Sequence, residues 1–165
     1  MLQQYNDYEG HGFISQEQLD CVKKGMNWDK CNDCSSYRIA VMHHHYCPAC
    51  FSERIEYEKP SSVVYDADRL MTWLVENNVK MLLHGHKHNT FLTKISYPKS
   101  KNKYDIKNMH EIYVVSTGGT GSSGTENKFS TITFDNKNLT LRIYKIYPDI
   151  ISSDNCEQEI VIPID

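Results

Sequence analysis

Leu82-Leu83-His84-Gly85-His86-Lys87-His88-Asn89 is the stretch whose reading decides the fold. An apolar run, Val79 to Leu83, ends in the histidines His84, His86 and His88. A short apolar run that stops at a Gly-containing polar segment reads as a buried strand entering a loop. Neutral imidazole is the commonest metal ligand in proteins. Histidines two apart in extended chain point to one side, about 6–7 Å apart. That spread suits two metal ions about 3.5–4 Å apart, each taking one imidazole. Gly85 is expected to let the backbone turn tightly at the strand end.

The run Arg38-Ile39-Ala40-Val41-Met42 repeats the design and ends at His43, His44 and His45. Sites in open α/β sheets form outside the carboxyl ends of the strands. Two strands ending in histidine therefore deliver their imidazoles to one crevice. The alternative is that the triple histidine packs locally.

Gly85-His86-Lys87-His88 resembles the Gly-His-x-His motif of the calcineurin-like metallophosphoesterases. Arg38 to His44 resembles that family's preceding motif, a buried strand ending in one or two histidines. Ile112-Tyr113-Val114-Val115-Ser116-Thr117-Gly118-Gly119 resembles its next strand and Gly-rich exit. The resemblance runs from about Ile14 to Tyr147. It implies half of a two-sheet α/β sandwich, with a mixed sheet and C-terminal antiparallel strands. It also implies hydrolysis of phosphate esters, monoester or diester, at a dinuclear centre of manganese, iron or zinc. By resemblance His43 and His86 would bind one metal and His88 the other. His44 is the alternative to His43, and His84 is a further ligand or a support behind the ligands.

The chain also departs from the family. The Asp-x-His, Gly-Asp and Gly-Asn-His-Asp/Glu motifs that supply the remaining ligands and the transition-state histidine are not found. The expectation is a single partial domain over 1–165, corresponding to the C-terminal portion of a family domain. Such a half-sandwich exposes a sheet edge and a core face, so pairing with an N-terminal half or with a second copy is expected. Alone it could be inactive, a remnant serving as a binding or structural module.

A third reading uses Cys31, Cys34, Cys47 and Cys50, a pair of Cys-x-x-Cys motifs twelve residues apart with the spacing of a zinc site. A strand over Tyr37 to Met42 would hold the two pairs about 20 Å apart, too far for sulfurs about 2.3 Å from one ion. The strand and the shared zinc site exclude one another.

The rest of the chain supports packing. Ser15 to Asn27 is predicted helical, with Ser15 as N-cap and Leu19, Val22 and Met26 on one apolar face. Asp66 to Asn77 is a second helix, with Leu70, Trp73 and Leu74 toward the core and Asp66 or Asp68 capping its start rather than binding metal. Phe91 to Ser96 and Glu111 to Ser116 read as strands. Tyr97 to His110 reads as an exposed, lysine-rich excursion. Phe129 to Phe134 and Leu139 to Ile146 form a hairpin about Asp135 to Asn138, and Glu159 to Ile164 adds a last strand. Thr117 to Thr125 lacks the Lys-Ser/Thr of a P-loop.

With 165 residues and 39% hydrophobic content, one packed domain is expected. A net charge of −3 gives no broad attraction to nucleic acid or anionic membranes, so nucleic acid enters only as a substrate. Met1 to Gly10 has no signal-peptide pattern, and no apolar run approaches the roughly 18–20 residues of a membrane span. Six cysteines without a secretory signal point to the reducing cytoplasm.

Overall fold

The structure, a computed structural model, describes residues 12–28, 36–46, 64–85, 90–99, 107–121, 127–147 and 155–164. In chain order the elements are α1 (Gln16–Gly25), β1 (Arg38–Met42), α2 (Ala67–Glu76), β2 (Val79–His84), β3 (Thr90–Pro98), β4 (Met109–Thr117), β5 (Lys128–Phe134), β6 (Asn138–Lys145) and β7 (Cys156–Pro163). They build two sheets, ordered β1-β2-β4-β3 and β5-β6-β7. The first sheet is mixed, because β1, β2 and β4 are parallel and β3 returns antiparallel to β4. The second is wholly antiparallel. The architecture is a mixed α/β sandwich.

Local chemistry starts α1 as expected, but α2 lacks the side-chain cap expected of Asp66. Ser15 has extended backbone, its Oγ accepts from the Gln18 amide at 3.2 Å, and Gln18 Oε1 accepts from the Ser15 amide at 2.8 Å. This reciprocal capping satisfies two otherwise orphaned donors. Asp66 sits at the N-cap of α2 but makes no side-chain cap hydrogen bond. Its Oδ1 instead accepts from the Ile14 amide at 3.2 Å, tying the start of α1 to that of α2. Both helices end at asparagines with left-handed backbone, Asn27 (φ 53°) and Asn78 (φ 52°), a conformation asparagine tolerates well.

The central strands of the first sheet, β2 and β4, are buried on both faces. Leu70, Met71, Leu74, Val79, Leu82, Ile112 and Val114 pack on the helix side. Met81 and Val115 pack against Leu139, Leu141 and Ile162 of the second sheet. Met71, Leu74, Met81 and Leu139 are fully buried, each contributing about 1.5–3 kcal/mol by leaving water. Arg38 joins the layers, donating to the Asn77 carbonyl at 2.7 Å while its guanidinium lies 4.7 Å from the Trp28 ring centre. Asp135 Oδ1 accepts from the Lys137 and Asn138 amides, both at 2.7 Å, which closes the β5–β6 turn.

Three expectations are corrected. The apolar face of α1 is not a packing face along its length: Leu19 is buried, but Val22 and Met26 are 49% and 59% exposed. They flank an apolar groove along β1, the edge strand of its sheet, where Val41 is 77% exposed. The excursion after Phe91–Ser96 begins later than read. Tyr97 pairs with His110 and Pro98 with Met109, and His110 is buried. Pro98 ends an edge strand, where a missing N–H is tolerated. Gly85 has no positive φ, and a Cβ there would meet His43 only at 3.9 Å, so no tight-turn requirement explains it.

Candidate metal centre at the strand ends

Parallel pairing of β1 with β2 places Met42 opposite His84, so both chains leave the sheet at one level. Beyond that level the Gly85 amide donates to the His43 carbonyl at 3.1 Å. The two histidine segments are therefore joined where they emerge. The residue after Gly85 is His86.

The three consecutive histidines have three different environments. His43 is exposed and lies beside Gly85. His44 is half-buried with its ring against Gly12; a Cβ on Gly12 would come within 2.9 Å of His44 Cγ. His45 is buried, with its ring 4.7 Å from that of His84 and stacked 6.2 Å from Phe91. Local packing thus accounts for His45, while His43 keeps an accessible imidazole. The His43 and His44 rings meet edge to face at 5.0 Å.

His84 belongs to the floor beneath the strand ends. It is 3% exposed, and Phe91 is 5.0 Å from its ring. His84, Ser116 and Phe91 lie in one cross-strand row on β2, β4 and β3, and Ser116 is fully buried. Nδ1 of His84 donates to the Gly85 carbonyl at 3.3 Å, which leaves Nε2 unprotonated, buried and without a hydrogen-bond partner among the described residues. Burial pushes the His84 imidazole below its usual pKa, opposed by the Gly85 carbonyl.

The loop before α2 closes one side. The Val64 amide donates to the His45 carbonyl and the Tyr65 amide to the Gly12 carbonyl, both at 2.9 Å, within a parallel Gly12–Val64 bridge. On the other side β4 runs out through Gly118, whose φ of 81° is open to glycine and costly for other residues. Gly119 then bridges to Asn127 at the start of the second sheet.

His86 and His88, and the cysteines Cys31, Cys34, Cys47 and Cys50, lie outside the described residues. Among the described residues no three His, Cys, Asp or Glu side chains are grouped to hold a metal. Asp66 and Asp68 are engaged elsewhere: Asp66 holds Ile14 and Arg69, and Asp68 accepts from the Tyr97 hydroxyl. Sequence reading assigns His45 no role apart from the triple histidine, takes Phe91 only as the start of a strand, and does not single out Gly12. The triple histidine hinted at the first, but the other two are brought in by tertiary pairing alone. Among the described residues no helix is long and apolar enough to cross a membrane.

No protein-family model matches the chain, and no curated protein matches it. Among solved structures the chain is similar to Vps29 from Entamoeba histolytica complexed with Zn2+. That likeness has 14% identity and a TM-score of 0.41, and covers 79% of this chain and 57% of that one. It is also similar to a single mutant of Vps29 from the same organism, at 15% identity and a TM-score of 0.37, over 77% of this chain and 55% of that one. The chain thus spans little more than half the length of each.

Proposed function

We propose that the chain carries the strand-end histidine portion of a metal-dependent phosphoesterase site, acting on phosphate monoesters or diesters. One observation carries this reading: the Gly85 amide is bonded to the His43 carbonyl, so the accessible imidazole of His43 and the chain entering His86 share one strand end. His43 would offer a metal an exposed imidazole nitrogen at the strand end. His43, His86 and His88 would hold two divalent ions, with His44 as the alternative to His43. Manganese, iron and zinc all accept imidazole. Such ions supply Lewis acidity at the phosphoryl oxygens and a lowered pKa for the attacking water.

The chain's own contribution is orientation. His45, His84 and Phe91 form a packed floor that fixes the β1 and β2 exits. His44 packs against Gly12 while His43 is exposed, which favours His43 as the outward imidazole in this reading. Three imidazoles do not complete a two-metal centre; the remaining donors would come from elsewhere in this chain, from a second copy or from an N-terminal half. The setting we propose is cytoplasmic, and Cys21 and Cys156 are free thiols.

Hydrolysis of an aryl phosphodiester with added manganese, compared with the His86→Ala variant, tests the reading. Turnover lost in the variant supports it. A folded chain that binds metal without turnover is instead a binding or structural module. Zinc that survives His43→Ala, His86→Ala and His88→Ala but is lost from Cys31→Ser, Cys47→Ser identifies the cysteine site and overturns the reading.

A further inference from the structure

At the end of the strands opposite the histidines lies a cavity of about 250 Å³, lined by Tyr37, Lys80, Lys94, Glu111, Tyr113 and Pro163. The β2 backbone is irregular at this point. Arg38 pairs with Val79 but Ile39 pairs with Met81, so Lys80 is an extra residue in the ladder. Val79 and Leu82 pack on the helix side, and Met81 packs between the sheets. Strict alternation from Leu82 would turn Lys80 toward the helices. The bulge brings it to the Met81 side, where it lines the cavity. Bulges commonly re-aim a side chain in this way.

Charge and hydrogen bonding are unbalanced there. Lys94 is held by Glu111 at 2.7 Å and lies 5.9 Å from the Tyr113 ring centre. Lys80 has no ion-pair partner among the described residues. The Tyr37 hydroxyl is buried with no hydrogen-bond partner among the described residues. Burial, and then the neighbouring Tyr113, pushes its pKa up to about 12. It therefore stays protonated, a donor without an acceptor.

We propose that this cavity binds a small oxyanion, a phosphate or carboxylate group, through the Lys80 and Lys94 ammonium groups and the Tyr37 hydroxyl. An ammonium carries three donors, so Lys94 serves Glu111 and the anion together. A charged acceptor makes short, strong bonds to such donors. The volume lies below the roughly 300–1,000 Å³ of sites for drug-sized ligands, which limits the occupant to a single small group. The proposal does not rest on the metal-site reading.

The test is a titration of the isotope-labelled chain with inorganic phosphate, and separately with acetate, followed by amide NMR shifts. Chelator keeps the histidine end free of metal, and chloride holds the ionic strength constant. Saturable shifts at Tyr37, Lys80, Lys94 and Tyr113 are expected. Lys80→Ala and Tyr37→Phe each weaken binding, the first by about tenfold or more, while Lys80→Arg retains it. A response to phosphate alone identifies a phosphate ligand, and a response to both anions extends the class to carboxylates. No saturable shift with either anion overturns the proposal. So do shifts confined to His43, His84 and Gly85, or affinity unchanged in Lys80→Ala.

Discussion

The Gly85 amide donates to the His43 carbonyl at 3.1 Å. This contact lies just beyond the paired strand ends and locks the two histidine segments together before either enters its loop. The roles of the neighbouring histidines then separate by burial, and burial makes the separation measurable.

His84→Ala and His45→Ala remove buried rings from the floor and leave cavities beneath the strand ends. Each is expected to cost about 2–3 kcal/mol. His43→Ala changes an exposed ring and should stay within about 0.5 kcal/mol of wild type. Urea unfolding of the three variants checks this, and equal losses in all three would contradict the assignment.

Gly12 and Gly25 should respond oppositely to alanine. A Cβ at Gly12 lands within 2.9 Å of the His44 ring, whereas at Gly25, within α1, it meets nothing within 4 Å. Gly12→Ala is expected to destabilise by about 1–3 kcal/mol through overpacking. Gly25→Ala should stabilise by about 0.5–1 kcal/mol. Thermal midpoints moving in the same direction for both would argue against the Gly12–His44 contact.

Stability should fall on mild acidification. His110 is buried, its Nε2 donates to the Val79 carbonyl at 2.6 Å, and Nδ1 has no partner among the described residues. Burial lowers its pKa most; the Val79 carbonyl opposes this, Lys80 and Lys99 lower it further, and Glu111 raises it. Below the ordinary histidine pKa of about 6.5 the unfolded chain takes up a proton that the folded chain refuses. The stabilisation is complete above that pH and is lost as pH drops toward the folded value. His84 shifts in the same direction. Denaturant midpoints at pH 7.5 and 5.5 should fall less in His110→Gln than in wild type. An equal fall would exclude His110 as a source.

Ser15→Ala removes the acceptor of the Gln18 amide and ends the reciprocal cap on α1. A loss of about 1 kcal/mol is expected, read as a lower denaturant midpoint. An unchanged midpoint would show that α1 is held by Leu19 and the Ile14–Asp66 bond alone.

Features written in short-range chemistry were legible in the sequence. The Ser15 N-cap, the Asp135 turn and the apolar runs at Arg38–Met42 and Val79–Leu83 each declare themselves within a few residues. The convergence of His43 with the His84–Gly85 end followed from strand polarity. What was not legible depends on residues distant in sequence. The Lys80 bulge is set by pairing with β1, and the burial of His110 by its bond to Val79. The exposure of Val22 and Met26 follows from β1 being an edge, which periodicity within α1 does not reveal. The packing of His44 against Gly12 likewise joins residues distant in sequence.

The most direct test of the central claim is metal content per purified chain, by elemental mass spectrometry, for wild type, His43→Ala, and His86→Ala with His88→Ala. The account predicts bound manganese, iron or zinc in the wild type, reduced in His43→Ala and absent from the double variant, all three remaining folded. Metal retained in both folded variants, or none in the wild type after manganese and zinc loading, would contradict it.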